Sequence, residues 1–461
     1  MPILKPQLSY QDGHFHGGFE WVLNSDSDTF RLREQHAGER EDVVTMLPGK
    51  AVLPGFSNGH SHAFQRAIRG RTHARPEGSS DFWSWRNAMY QVVEKLTPED
   101  LYTISKRTYI EMLEAGFTQV GEFHYVHHQA GGKPHDDINE MANQVIQAAI
   151  DAGIRITLFR VDYLETGYRG IEKAEGQKRF MDADCEAALL AIEQLISKWK
   201  THPGVRIGIA PHSVRAVHPK DLERIADWCT SHPEIPLHIH AAEQLGEIEE
   251  TLQFTGLRPI ELLDKTGILS PNTTLIHGTH LSPEEERMVA ASGTAICVCP
   301  TTEADLGDGL FHLTELMRSQ VPLTIGSDSQ AVIDPFVEMR CLDMHERLRK
   351  KNRSPSTLPG EQPGHSLISI ATTLGYDSCG WRQAAEAEFN WADAVSLDLL
   401  HPALLGLEAK EVTPGIAFHG DKSMVRDVWV KGTQVVKDGT HSAGPSSREE
   451  YVAAIRRIFP E

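Results

Sequence analysis

Long apolar stretches are missing from this 461-residue sequence: no run of about 18 apolar residues occurs, which argues against a spanning helix. A basic amino-terminal region leading into an apolar core is missing too, so MPILKPQLSYQDG does not read as a signal peptide. Positive charge is scarce. The 45 Lys and Arg face 64 Asp and Glu, a net charge of −19. An acidic surface repels phosphate backbones and anionic lipid, so neither nucleic acid nor a membrane is expected as a partner. A small anionic substrate stays open, because a few Arg residues reverse the sign inside a pocket. The six cysteines (Cys185, Cys229, Cys297, Cys299, Cys341 and Cys379) form no CxxC pair. In a long chain this fits free thiols and a cytoplasmic location. Cys297 and Cys299, within AICVC, read as buried strand residues rather than a soft metal pair.

Apolar residues make up 40% of the chain, enough to fill a sizeable core. Mean hydropathy is −0.34. Short β-branched runs recur at Ala51–Phe56, Thr118–Phe123, Ile154–Val161, Val205–Ala210, Leu237–Ala241, Thr274–Ile276, Ala295–Cys299 and Pro322–Ile325. Between them, Pro98–Ala115, Met141–Ala152, Cys185–Trp199, Lys220–Ser231 and Pro283–Ala291 carry apolar residues at helical spacing. Eight runs alternating with helices predict a parallel (β/α)8 barrel, an α/β fold, over residues 51–389. The ends differ. Residues 1–50 hold strand-like fragments, and Met424–Val436 reads as a hairpin turning at Lys431-Gly432. Residues 1–50 and 390–445 are therefore expected to pair into a small β-sandwich, followed by a C-terminal helix over 446–461.

The sharpest motif is LPGFSNGHSH, residues 53–62. Residues two apart on a strand share a face, so His60 and His62 can meet one metal ion. His14 and His16 repeat the spacing without an apolar strand before them and read as surface. In PLHIHAAEQ, residues 236–244, His240 offers a third nitrogen and Glu243 lies within reach as a proton shuttle. His238 reads as structural. TTLIHGTH ends on His277, placed to polarise the substrate, and PLTIGSDSQ ends on Asp328, a carboxylate able to bind the metal and act as general base. Four strands thus end in His or Asp, a donor set for one divalent ion, zinc first and ferrous iron as the alternative.

The order HSH, HxxE, H, SD between the two halves of a split β-domain resembles the amidohydrolase superfamily in its aminohydrolase branch. HSHAFQRA (60–67), DFWSWRNAMY (81–90), YIEMLEAGFTQVGEFHYVHH (109–128), HSVRAV (212–217), HIHAAEQ (238–244) and TEADLGDGLF (302–311) resemble the formimidoylglutamate deiminase family within it, over most of residues 50–340. The resemblance implies hydrolysis of N-formimino-L-glutamate to N-formyl-L-glutamate and ammonia, in histidine degradation. It implies His60, His62, His240 and Asp328 as metal ligands, with Glu243, His277 and Asp328 catalytic. It makes Gln65, Arg86, Tyr125, His212 and Arg215 contacts to a substrate carrying a carboxylate, and a homodimer is expected. Trp83 and Trp85 read as pocket wall or core rather than chemistry.

Two positions near the expected pocket depart from the family pattern and bear on the substrate. Gln330 stands where a His is usual, and Asp305 where an Asn is usual. FNWADAVSLDL (389–399) also lacks the usual Gly-rich lead into the β-domain. A guanine-type heterocycle deaminase or chlorohydrolase would share the metal site without needing Arg215, and a formimino-aspartate deiminase would keep both. A non-catalytic barrel scaffold would need none of these residues.

Overall fold

Strands Phe56–Ser61, Phe117–His124, Arg155–Asp162, Val205–Pro211, Leu237–Ala241, Thr273–His277, Ala295–Val298 and Leu323–Ile325 lie side by side in chain order, all parallel. A backbone bridge from Ser61 to Asp328 joins the eighth strand to the first and closes the ring. This is a computed structural model; it describes residues 2–24, 29–35, 43–73, 82–168, 175–381, 390–391 and 393–460. The second and third strands, covered on both faces, are buried at every residue, polar ones included. Helices return between strands, several with side-chain caps. Thr97 caps Pro98–Glu114, Asp184 caps Cys185–Trp199, and Ser282 with Glu285 forms a capping box on Pro283–Ser292. None of the described helices is long and apolar enough to cross a membrane.

The two chain ends meet in a separate small β-sandwich domain, hydrogen-bonded along one path. Strand Pro2–Gln11 runs parallel to Val43–Pro54, and the other pairings are antiparallel. Val43–Pro54 pairs with Asp393–Asp398 and so ties the amino-terminal strands to the carboxy-terminal ones. Leu4, Trp21, Phe30, Leu47, Val52 and Trp429 fill its core. The predicted hairpin is Val425–Val430 with Thr433–Lys437, and Lys431 (φ 52°) and Gly432 (φ 74°) take the two left-handed turn positions that suit strand twist. Helix Gly444–Ile458 follows.

One sequence reading needs correction. The run Ala51–Phe56 is not the first barrel strand: it is the end of Val43–Pro54 and the start of Phe56–Ser61, split at Gly55. A Cβ on Gly55 would sit 2.0 Å from Thr118 Oγ1, so the chain passes from one domain to the other where only glycine fits. The run stays apolar because both segments are buried there.

Asp393 bolts the two domains together. Its carboxylate accepts from Arg155 Nε at 2.9 and 3.1 Å and from the Tyr376 hydroxyl at 2.6 Å, all buried. Removing one partner of such a pair typically costs about 3–5 kcal/mol, because the other charge is left buried and unpaired.

Candidate active site

The bond that closes the barrel also assembles the site. His62 N–H donates to Asp328 O at 3.0 Å, and Asp328 N–H donates to His60 O at 3.0 Å. Strands one and eight can approach this closely because Gly326 has no side chain; a Cβ there would lie 2.8 Å from His60 Cβ. His60 Nε2 then stands 3.2 Å from both His62 Nε2 and His240 Nε2. Asp328 Oδ1 lies 3.5 Å from His60 Nε2 and 3.3 Å from His62 Nε2.

These four side chains fit a divalent ion. His62 Nδ1 bonds Phe123 O at 2.8 Å and His240 Nδ1 bonds His212 O at 3.0 Å. A carbonyl only accepts, so each Nδ1 carries the proton and each Nε2 presents a lone pair. Burial, reinforced by neighbouring imidazoles, holds His60 and His240 well below the usual histidine range. Burial also lowers His62, against the opposing pull of Asp328. Neutral nitrogens and a carboxylate oxygen facing one another at 3.2–3.5 Å repel unless a cation lies among them.

His277 sits beside this cluster. Its Nε2 is 3.8 Å from both Glu243 Oε1 and Asp328 Oδ2. Burial works to lower its pKa, but Glu243, Glu303 and Asp328 together outweigh burial and hold it well above the usual range. Burial raises Glu243 above the carboxylate range; His277 opposes this and Asp328 adds to it. Ala242 (φ 54°), His277 (φ 77°), Asp328 (φ 43°) and Gln330 (φ 63°) all occupy the left-handed region, which costs about 1–3 kcal/mol each and gathers at functional sites.

A cleft of about 760 Å³ opens on this cluster. Gln65, Tyr125, His212 and Arg215 line it together with His62, His240, Glu243 and Asp328. Gln65 Nε2 donates to the Tyr125 hydroxyl at 2.7 Å, leaving Gln65 Oε1 buried and without a partner. Tyr125 is held from behind: His127 and His128 N–H both donate to Arg179 O, and His127 Nε2 bonds Val161 O at 2.9 Å. Arg215 makes no ion pair or hydrogen bond among the described residues, and its Nε is buried. Burial opposes its charge, and the field of Glu247 and Glu243 more than compensates. Arg86 lies in helix Phe82–Lys95, but its side chain is outside the described residues, as is that of Trp83; Trp85 lines the cleft.

Other residues fall elsewhere. His238 lies below His240, stacked on Phe159 at 3.6 Å with Nε2 3.0 Å from Ser378 O. His14 and His16 are exposed. Neither departure from the family pattern reaches the cleft. Gln330 is fully buried behind Asp328, linking Ser327, Ser61 and the Asp328 carbonyl. Asp305 faces outward and pairs with His73 at 3.0 Å, while its neighbour Leu306 lines the cleft. Three participants escaped the sequence reading. Tyr163 and Phe180 line the cleft, and the Glu303 carboxylate meets His277 Nδ1 at 3.2 Å. Glu303 lies within the TEADLGDG stretch, which drew attention only for Asp305. Cys299, read simply as buried, brings its sulfur within 4.8 Å of ligand atoms of His277 and Asp328.

The chain is 36% identical over 413 residues to formimidoylglutamate deiminase of Pseudomonas aeruginosa, covering 89% of this chain and 90% of that one. It is 32% identical to the 8-oxoguanine deaminase of the same organism, over 61% of this chain and 60% of that one. Among solved structures, an amidohydrolase from Brucella melitensis superposes with a TM-score of 0.91 at 32% identity, covering 99% of this chain and all of that one. Residues 51–435 match the amidohydrolase family, a span that holds every donor of the cluster and every described wall residue of the cleft. The chain belongs to the amidohydrolase family.

Proposed function

We propose that this protein hydrolyses N-formimino-L-glutamate to N-formyl-L-glutamate and ammonia at a single divalent metal, zinc. The observation that carries the substrate is Arg215, a cation in the cleft wall with no acidic partner among the described residues. Its planar fork matches a carboxylate in two parallel hydrogen bonds. Gln65 and Tyr125, lining the same cleft, offer neutral hydrogen bonds. A flat heterocycle would offer the planar fork of Arg215 no carboxylate to pair with.

His60, His62, His240 and Asp328 would hold the metal; three nitrogens and one oxygen suit zinc. When bound, such an ion supplies a Lewis acid that brings the pKa of water to about 7. Water adds to the formimino carbon: one of its protons passes to Asp328 while Glu243, raised by burial, protonates the terminal nitrogen. The proton held by Asp328 then completes ammonia as the carbon–nitrogen bond breaks, and the hydroxyl left on carbon returns its proton to Glu243 as the formyl carbonyl forms. His277 directs Nε2 at the space between Glu243 and Asp328 and steadies charge developing there. The reading also carries a place in histidine degradation, a cytoplasmic location and a homodimer, which fractionation and ultracentrifugation check.

The deciding experiment is ammonia release from formiminoglutamate, formiminoaspartate and guanine, with metal content measured on the same preparation. Formiminoglutamate should give the highest kcat/KM. If guanine turns over faster, the carboxylate reading is wrong and the heterocycle reading replaces it.

A further inference from the structure

We infer that Glu303 is a positioning residue that fixes which nitrogen His277 turns toward the reacting atoms. The inference rests on the proposed role of His277 in steadying developing charge. Glu303 lies in Pro300–Leu306, the helix after the seventh barrel strand, and His277 ends the sixth. One oxygen of Glu303, Oε1, accepts two hydrogen bonds, from Cys299 N–H at 2.9 Å and from His277 Nδ1 at 3.2 Å. The Glu303 backbone N–H donates in turn to Cys299 O at 2.9 Å. The carboxylate is thus pinned by backbone and buried before it reaches the ring.

An imidazole offers two nitrogens, and the ring can turn either one toward the reacting atoms. The Glu303 carboxylate holds Nδ1–H and so turns Nε2 toward Glu243 and Asp328. The ring needs such a hold. His277 has a left-handed backbone at φ 77°, followed by Gly278 at φ 62°, and among the described residues its Nδ1 has no other hydrogen-bond partner.

The test uses Glu303→Ala and Glu303→Gln in the full-length, metal-loaded protein. Proton NMR follows the downfield Nδ1–H signal of His277, assigned by its disappearance in His277→Asn. Glu303→Ala should lose that signal while metal content and Tm stay at the parental level. Its kcat on formiminoglutamate should fall about 10- to 100-fold with KM within about threefold, since the residue orients chemistry rather than substrate. Glu303→Gln keeps an acceptor oxygen and should recover part of the kcat. A folded, metal-replete Glu303→Ala with the signal intact, or with parental kcat, overturns the proposal. Should Glu303→Ala not fold, Glu303→Gln decides: parental kcat refutes, and a lowered kcat at parental Tm supports. If the parent protein releases no ammonia from formiminoglutamate, the substrate reading fails while the NMR comparison still judges Glu303.

Discussion

Replacing Arg215 by Met should separate recognition from folding, because of what surrounds this side chain. It forms no ion pair or hydrogen bond among the described residues, so the substitution breaks none there and removes only the field it exerts on Glu243 and Glu247. Metal content should be unchanged, and Tm should hold within about 3 °C. The loss appears only with substrate. A two-pronged contact to a carboxylate contributes two charge-assisted hydrogen bonds of about 1.5–3 kcal/mol each. Arg215→Met should therefore lower kcat/KM for formiminoglutamate by about 3–6 kcal/mol, a factor of roughly 10² to 10⁴. Arg215→Lys keeps the charge but one prong, and should lose about half of that free energy. The internal control is an N-alkylformamidine, which has the reacting group without the carboxylate; on it all three proteins should agree within about twofold. The assay is coupled ammonia release, with kcat and KM determined separately. Equal losses on both substrates, or a loss of bound metal, would show that Arg215 shapes the site rather than reading the carboxylate.

Glu243→Gln keeps shape but cannot carry a proton, so kcat should fall about 10²-fold or more with metal retained; near-parental turnover removes the shuttle role. His60→Ala should abolish ammonia release and lower bound metal, and chelation of the parent should do the same reversibly on metal return; full activity in a metal-free preparation would refute the site. Asp162 is a stability test away from the chemistry: it is fully buried, neither oxygen has a hydrogen-bond partner, and burial, with Asp182 adding and Arg160 opposing, pushes its pKa from 3.8 to about 8. The folded state then holds a proton that the unfolded chain has released, so its contribution is intact below about pH 4 and stability falls by about 1.4 kcal/mol per pH unit up to about pH 8. Asp162→Asn should flatten that part of the urea-denaturation profile; an identical pH slope in both proteins would show that Asp162 ionises freely.

What was legible in the sequence followed periodicity and strand ends. His60 and His62 could be placed because a two-residue spacing on an apolar strand has one geometric meaning. Cys185–Trp199 was bounded correctly because its apolar spacing starts after Asp184, which caps it. The run Ala51–Phe56 misled because burial, not strand identity, makes residues apolar, and both sides of Gly55 are buried. Gln330 and Asp305 were expected near the pocket from their neighbours in sequence. A left-handed φ at Gln330 and the helix carrying Asp305 turn both away from it. Glu303 was out of reach because its contact joins the helix after the seventh strand to the end of the sixth, and no spacing along the chain encodes that meeting.

The geometry separates two tasks that the family resemblance had merged. The proposed metal donors come from strand ends held by hydrogen bonds to the backbone: His60 and Asp328 through barrel closure, the His62 ring through Phe123 O, the His240 ring through His212 O. A change in any of these disturbs the barrel itself. The wall residues come from looser ground: Gln65 from the turn after strand one, Tyr125 from the segment after strand two, His212 and Arg215 from that after strand four. They can change without unmaking the donor set. That division explains how a chain can be 36% identical to a formimidoylglutamate deiminase and 32% identical, over a shorter span, to an 8-oxoguanine deaminase. The donors determine which kind of bond is attacked, and the wall determines which molecule presents it. It follows that Arg215 alone does not define the substrate: the unpartnered Gln65 Oε1 beside Tyr125 must find its donor on the same molecule. A formimino amino acid supplies one in its own N–H, apart from the carboxylate proposed to meet Arg215.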